Sequence, residues 1–319
     1  MKKIISVLLV AVMLTISLAA LAAPAVRLGG LKGPTTMGLV KLLDDNEQGK
    51  TLNQYDFTMA TAPDELTPKL IKGEMDIMAV PANMGAVLYN KTKGQVQMLA
   101  ASALGVLYVV EKGDSVHTPA DLAGKTILAT GKGATPEMVL TYLLKQNGLV
   151  LGEDVKVEWM SEPTEAVQRL NAMESGIALL PQPFVTVALG KVEGLRVAMS
   201  LEDEWNKLSD GSRLVTACII ARKEFVEAHP EQVENFLKDF AAGVQYVNEN
   251  NEEAAQLVEK YGIVKAPIAK KALPQCNLVA MTGDEMKTAV QGYLKTLFDQ
   301  TMQSVGGEMP SDDFYYGAK

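Results

Sequence analysis

Four short loops hold the polar groups best placed for chemistry in this 319-residue chain: Gly33-Pro34-Thr35-Thr36, Pro81-Ala82-Asn83, Gly133-Ala134-Thr135-Pro136 and Pro181-Gln182-Pro183. Each follows a strand-like run and leads into a helical one. At such a junction the first N–H groups of the helix have no intrahelical partner, and the helix dipole presents its positive end. Backbone donors, hydroxyls and amides there can hold a small polar or anionic group. Lys32 and Lys132 flank two of the loops and would add positive charge. No loop contains arginine, so a two-pronged guanidinium clamp on a carboxylate or sulfonate is not expected. Thr35, Asn83 and Thr135 are equally legible as N-caps, and the prolines as helix starters. Their shared placement after strands is what points to a ligand site.

Covalent chemistry has little to draw on. His117 and His229 are the only histidines, and no G-x-S-x-G, H-E-x-x-H or Walker loop occurs. The runs Asp44-Asp45, Glu202-Asp203-Glu204 and Asp312-Asp313 read as solvated surface. The methionines follow apolar positions and read as core filler. Trp159 and Trp205 are candidates for stacking a ring or for simple packing. Cys218 and Cys276 match no metal spacing and lie beside apolar runs, which reads as two buried thiols. Their pairing stays open, because an oxidising compartment would permit it. The expectation is therefore a protein that is not an enzyme, with no cofactor and no metal. A formal charge of −8 makes nucleic acid a poor partner.

The elements that must position the loops alternate strand and helix, which implies an α/β sheet with parallel pairing. Residues 27–90 return 100 positions later: Lys32-Gly33-x-Thr35 as Lys132-Gly133-x-Thr135, Pro63 as Pro163, Glu65 as Glu165, Leu70 as Leu170 and Pro81 as Pro181. Such self-similarity points to two related lobes facing each other across a cleft. It predicts that the first loop faces the third and the second faces the fourth. After residue 213 the repeat stops and the pattern is mainly helical, ending in a Gly-, Pro- and Asp-rich tail that should wrap a surface.

The N-terminus reads as an export signal. Lys2-Lys3 is followed by an apolar run from Ile4 to Leu18, and Ala20-Leu21-Ala22 fits a small-x-small cleavage site. The run is long enough to serve instead as a retained anchor, but its small-residue end favours cleavage after residue 22. No cysteine stands there to carry a lipid. A periplasmic or secreted location follows.

Three stretches carry a family resemblance. Leu70-Ile71-Lys72-Gly73-Glu74-Met75-Asp76-Ile77, Thr118-Pro119-Ala120-Asp121-Leu122-Ala123-Gly124-Lys125-Thr126-Ile127 and Ala228-His229-Pro230-Glu231 resemble solute-binding proteins of ABC importers in the nitrate/taurine/aliphatic-sulfonate class. The resemblance implies a two-lobed type 2 periplasmic binding protein fold, with two crossovers near 113–116 and 209–213 and a central ligand cleft. The first lobe would combine residues 23–114 and 214–319, and the second would be 115–213. Function would be capture of a small polar or anionic solute and its delivery to an ABC permease and its ATPase, by a monomer. The ligand-binding positions implied are Gly33, Thr35, Thr36, Asn83, Ser102, Gly133, Thr135 and Gln182. The alternatives are an enzyme on the same fold acting on a small acid, which would need a general base in the cleft, and an exported ligand-sensing module. The cysteine cluster of the pyrimidine-synthase branch is absent.

Overall fold

The computed structural model describes residues 24–319 apart from Asp210; residues 1–22, expected to be an export signal, lie outside the described residues. The first unit runs β1 (Val26–Leu31), α1 (Pro34–Met37), α2 (Val40–Glu47), β2 (Tyr55–Ala60), α3 (Pro63–Ile71), β3 (Ile77–Pro81), α4 (Ala82–Lys91) and β4 (Val96–Ala103). The second runs β5 (Leu107–Lys112), β6 (Thr126–Ala129), α5 (Thr135–Gln146), β7 (Lys156–Trp159), α6 (Pro163–Ala172), β8 (Gly176–Pro181), α7 (Phe184–Lys191), β9 (Leu195–Ser200) and α8 (Leu201–Leu208). The return segment adds β10 (Ala217–Arg222), α9 (Lys223–Ala228), α10 (Pro230–Glu249), α11 (Asn251–Lys260), α12 (Ala266–Ala272), β11 (Leu278–Met281) and α13 (Gly283–Gln300).

The strands form two sheets, ordered β11-β4-β10-β3-β1-β2 and β7-β6-β8-β5-β9. In both, three parallel strands come first (β2-β1-β3 and β7-β6-β8), followed by one antiparallel strand. The register is offset by one residue: Leu28 pairs with Ile77 in one sheet, whereas Ile127, the repeat counterpart of Arg27, pairs with Ile177 in the other. The duplication seen in residues 27–90 thus extends to β4 and β9, which occupy equivalent places.

The first sheet is completed by β10 and β11 of the return segment, whereas every strand of the second belongs to its own unit. β5 pairs with β8 and β9, so the chain has already crossed to the second sheet at 104–106, ahead of the boundary expected at 114. Both β4 and β5 are apolar and almost wholly buried. They therefore read as one strand-rich run, and sequence alone does not show that the chain changes sheets at the break. The return crossing lies between α8 and β10.

One apolar cluster joins Leu31, Val80 and Leu104 of the first lobe to Ile127, Met138 and Leu179 of the second, so the lobes share packed core. A second cluster lies between the first sheet and α10, and a third within the second lobe. At the far end of the first sheet, Asp76 is 3% exposed and accepts Arg27 N at 3.0 Å, Arg27 Nε at 2.9 Å and an Arg222 guanidinium nitrogen at 2.9 Å. Burial alone would raise the Asp76 carboxyl, but the bonds from Arg27 and Arg222 outweigh it and hold the group below its ordinary value. This explains the acid in the Gly-x-x-Asp step: it closes the base of β1, β3 and β10. The tail binds the sheet edge, with Tyr316 N donating to Met98 O at 3.0 Å and the Tyr89 hydroxyl to Asp313 at 2.6 Å. Among the described residues no helix is long and apolar enough to cross a membrane.

Candidate ligand-binding cleft

A cavity of about 540 Å³ opens between the lobes. Asn83 and Val87 of α4 form one wall, Gly133 to Thr141 around the start of α5 the opposite one, and residues 300–304 at the end of α13 the third. Its polar groups are mostly neutral amides and hydroxyls. Glu137 is the charged lining residue, and its carboxylate accepts Gly133 N at 2.5 Å. Asn83 Nδ2 donates to Ser304 O at 3.2 Å, which fixes the amide.

The cavity unites the second loop with the third, unlike the first-to-third and second-to-fourth facing expected from the repeat. The third wall comes from the return segment, which has no counterpart in the duplicated units, so symmetry alone could not place it. Gly33 and Gly133 adopt positive φ of 130° and 74°. Gly33 is the N-cap of α1, which removes Thr35 from that role. Thr35 and Thr36 both donate their hydroxyls to Leu31 O at 2.6 Å, and Thr36 is fully buried. These hydroxyls lock their own turn. Asn83 lies inside α4, whose N-cap is Pro81, so it binds across to Ser304 rather than capping. Thr135 is the first residue of α5 after Ala134 and bonds the Tyr293 hydroxyl, which burial pushes up to about 12. Lys32 and Lys132 are exposed.

Ser102 differs from the rest. The pairing of β4 with β10 passes from Ala101↔Cys218 to Ala103↔Ala217, so Ser102 is the extra residue of a β-bulge. It is 2% exposed and its hydroxyl has no protein partner. Gln182 is equally buried, but its side chain is occupied: Thr186 Oγ1 donates to it at 2.9 Å, and its amide donates to Gln275 Oε1 at 2.6 Å. That bond crosses between lobes. Tyr108 of β5 makes a second crossing contact, donating to Gln275 O at 2.8 Å. Burial, with Cys276 and Asp203 nearby, pushes the Tyr108 hydroxyl up to about 12. Gln275 lies outside the repeat, and nothing in its sequence surroundings marked it.

One other expectation resolves differently. Glu202 is 4% exposed and bonded to Arg213, so it is not solvated surface. Trp205 packs between Tyr142 and Tyr293, with centroids 4.7 and 5.8 Å away, as core. Cys218 and Cys276 are free and fully buried.

Two sheets of like topology, joined by two crossings with a cavity between them, define the type 2 periplasmic binding protein fold. Solved structures agree. An ABC transporter protein from Parabacteroides distasonis is 23% identical, with 91% of this chain and 98% of that one covered at a TM-score of 0.76. The periplasmic aliphatic sulphonate binding protein SsuA from Escherichia coli is 17% identical, with 91% and 93% covered and a TM-score of 0.69. The MOPS-bound alkanesulfonate-binding protein SsuA from Xanthomonas axonopodis pv. citri is 15% identical, with 90% and 95% covered and a TM-score of 0.62. A family model described as menaquinone biosynthesis matches residues 34–296, and the chain belongs to that family. No curated protein matches in sequence.

Proposed function

We propose that this protein is an exported solute-binding component of an ABC importer. It captures a small polar solute between its lobes and passes it, unchanged, to a membrane permease. The cavity lined from both lobes carries this reading. A ligand there would contact Asn83 on one side and the start of α5 on the other, so binding would favour the closed arrangement of the lobes. The names of the similar solved structures support the same role. The lining favours recognition by neutral amides and hydroxyls, because a buried anion would meet Glu137 and no lining cation.

The test is a thermal-shift screen of small polar solutes, followed by recovery of any hit. A ligand at a hundred times its dissociation constant stabilises the fold by roughly 2.7 kcal/mol. Recovery of the intact compound, with binding weakened by Asn83→Ala, is the expected result. Conversion of the compound would overturn the reading. It would favour the second one, an enzyme on the same fold, which membership of the menaquinone biosynthesis family supports. In that case Glu137 is the lining group able to move a proton.

A further inference from the structure

We propose that Glu202 is the pivot of the hinge between the lobes, one buried carboxylate that ties both interlobe crossings together. Glu202 belongs to α8 of the second lobe, and its side chain is 5% exposed. One oxygen accepts the Gly105 N–H, in the first crossing, at 3.0 Å. The other accepts Nε and a terminal nitrogen of Arg213, in the second crossing, at 2.9 and 2.7 Å. Asn206 of the same helix adds a bond at 3.2 Å. Two linkers far apart in sequence are thus held by one group from a third segment.

Gly105 is shaped for this contact. A Cβ there would lie 2.7 Å from Glu202 Cβ, 2.8 Å from its carboxylate and 2.9 Å from Leu214, so only glycine admits the carboxylate. On the opposite side, Asn277 donates to Gly105 O at 2.6 Å and accepts Leu104 N at 3.0 Å. The second crossing is also sewn to the first lobe, where Thr216 N donates to Ala103 O at 3.0 Å. The linkers therefore run side by side, joined by backbone at the first lobe and by Glu202 at the second. Two independent linkers would let the lobes shear as well as bend. Two linkers fixed to one carboxylate confine motion to rotation about that point, which is how hinge closure differs from sliding. Hydrogen bonds to an ionised group are roughly twice as strong as neutral ones, so a single side chain suffices. The role holds for either reading of the cleft, since it concerns lobe motion and not the ligand.

The experiment uses the intact protein with spin labels at Lys69→Cys and Lys145→Cys, exposed positions on helices of opposite lobes. The native thiols are buried and stay unlabelled. Interlobe distance distributions and amide exchange are compared for the parent, Glu202→Gln and Gly105→Ala. Both variants are expected to broaden the distribution. Exchange at 104–106 and 213–216 should quicken by about tenfold while β1 and β6 keep their protection. Arg213→Lys keeps the charge but loses the two-pronged contact, and should broaden the distribution less; should Glu202→Gln not fold, Gly105→Ala and Arg213→Lys carry the test. Parent-like distributions and exchange in the variants that fold would overturn the proposal. So would a uniform rise in exchange across both sheets, which marks general destabilisation.

Discussion

Replacing Ser102 by alanine should make the protein without solute more stable, and that sign is the informative part. The hydroxyl sits in a β-bulge, 2% exposed, with no protein partner. A buried polar group left without a bond costs about 1–3 kcal/mol, whereas an apolar replacement of similar shape does not carry that cost. Serine to alanine removes one oxygen and creates little cavity. We therefore expect a gain of about 1 kcal/mol, equivalent to about 2 °C in melting temperature for a chain of this size. Denaturant and thermal melts of the two proteins measure it directly. The second half of the prediction is loss: if solute satisfies this hydroxyl, affinity should fall by about 2- to 10-fold, the worth of one neutral hydrogen bond. Stability that rises while affinity falls is the signature of a group kept for binding. A melting temperature lowered by 2 °C or more would refute the reasoning, because it would mean that the hydroxyl already has a stabilising partner in the fold.

Asp76→Asn should cost about 1.5–3 kcal/mol, since it leaves a half-exposed Arg27 and a largely buried Arg222 against a neutral amide. The folded carboxyl is held below its ordinary value of 3.8. Its contribution is present above that value and is lost as pH falls through the lower, folded one. Acid melts of the parent should therefore show a loss of stability below about pH 4 that the variant lacks; equal slopes would exclude the linkage. Cys218 and Cys276 should both resist a thiol reagent in the native state and react fully in denaturant, because burial raises both thiols, Cys276 to about 12. Rapid native labelling of either would contradict their burial.

The sequence by itself determined the lobes. Strand and helix signals, proline-started helices and the 100-residue repeat are local or periodic features, and the two sheets match them in strand order. It also determined where polar loops fall, because a strand ending in a helix start is written in neighbouring residues. Only the tertiary structure decided what those loops do. Thr35 and Thr36 turn back to Leu31, Gln182 reaches Gln275, and Asn83 reaches Ser304. Each of these outcomes depends on a carbonyl or amide whose position the side chain's own neighbourhood does not announce. Glu202 shows the limit most clearly. Within Leu201-Glu202-Asp203-Glu204 it looks like one charge among several, yet it alone is bonded to Gly105 and Arg213. Gly105 lies 97 residues away. A hydrogen bond takes its value from the group on its other side, and the fold, not the local sequence, brings that group within reach.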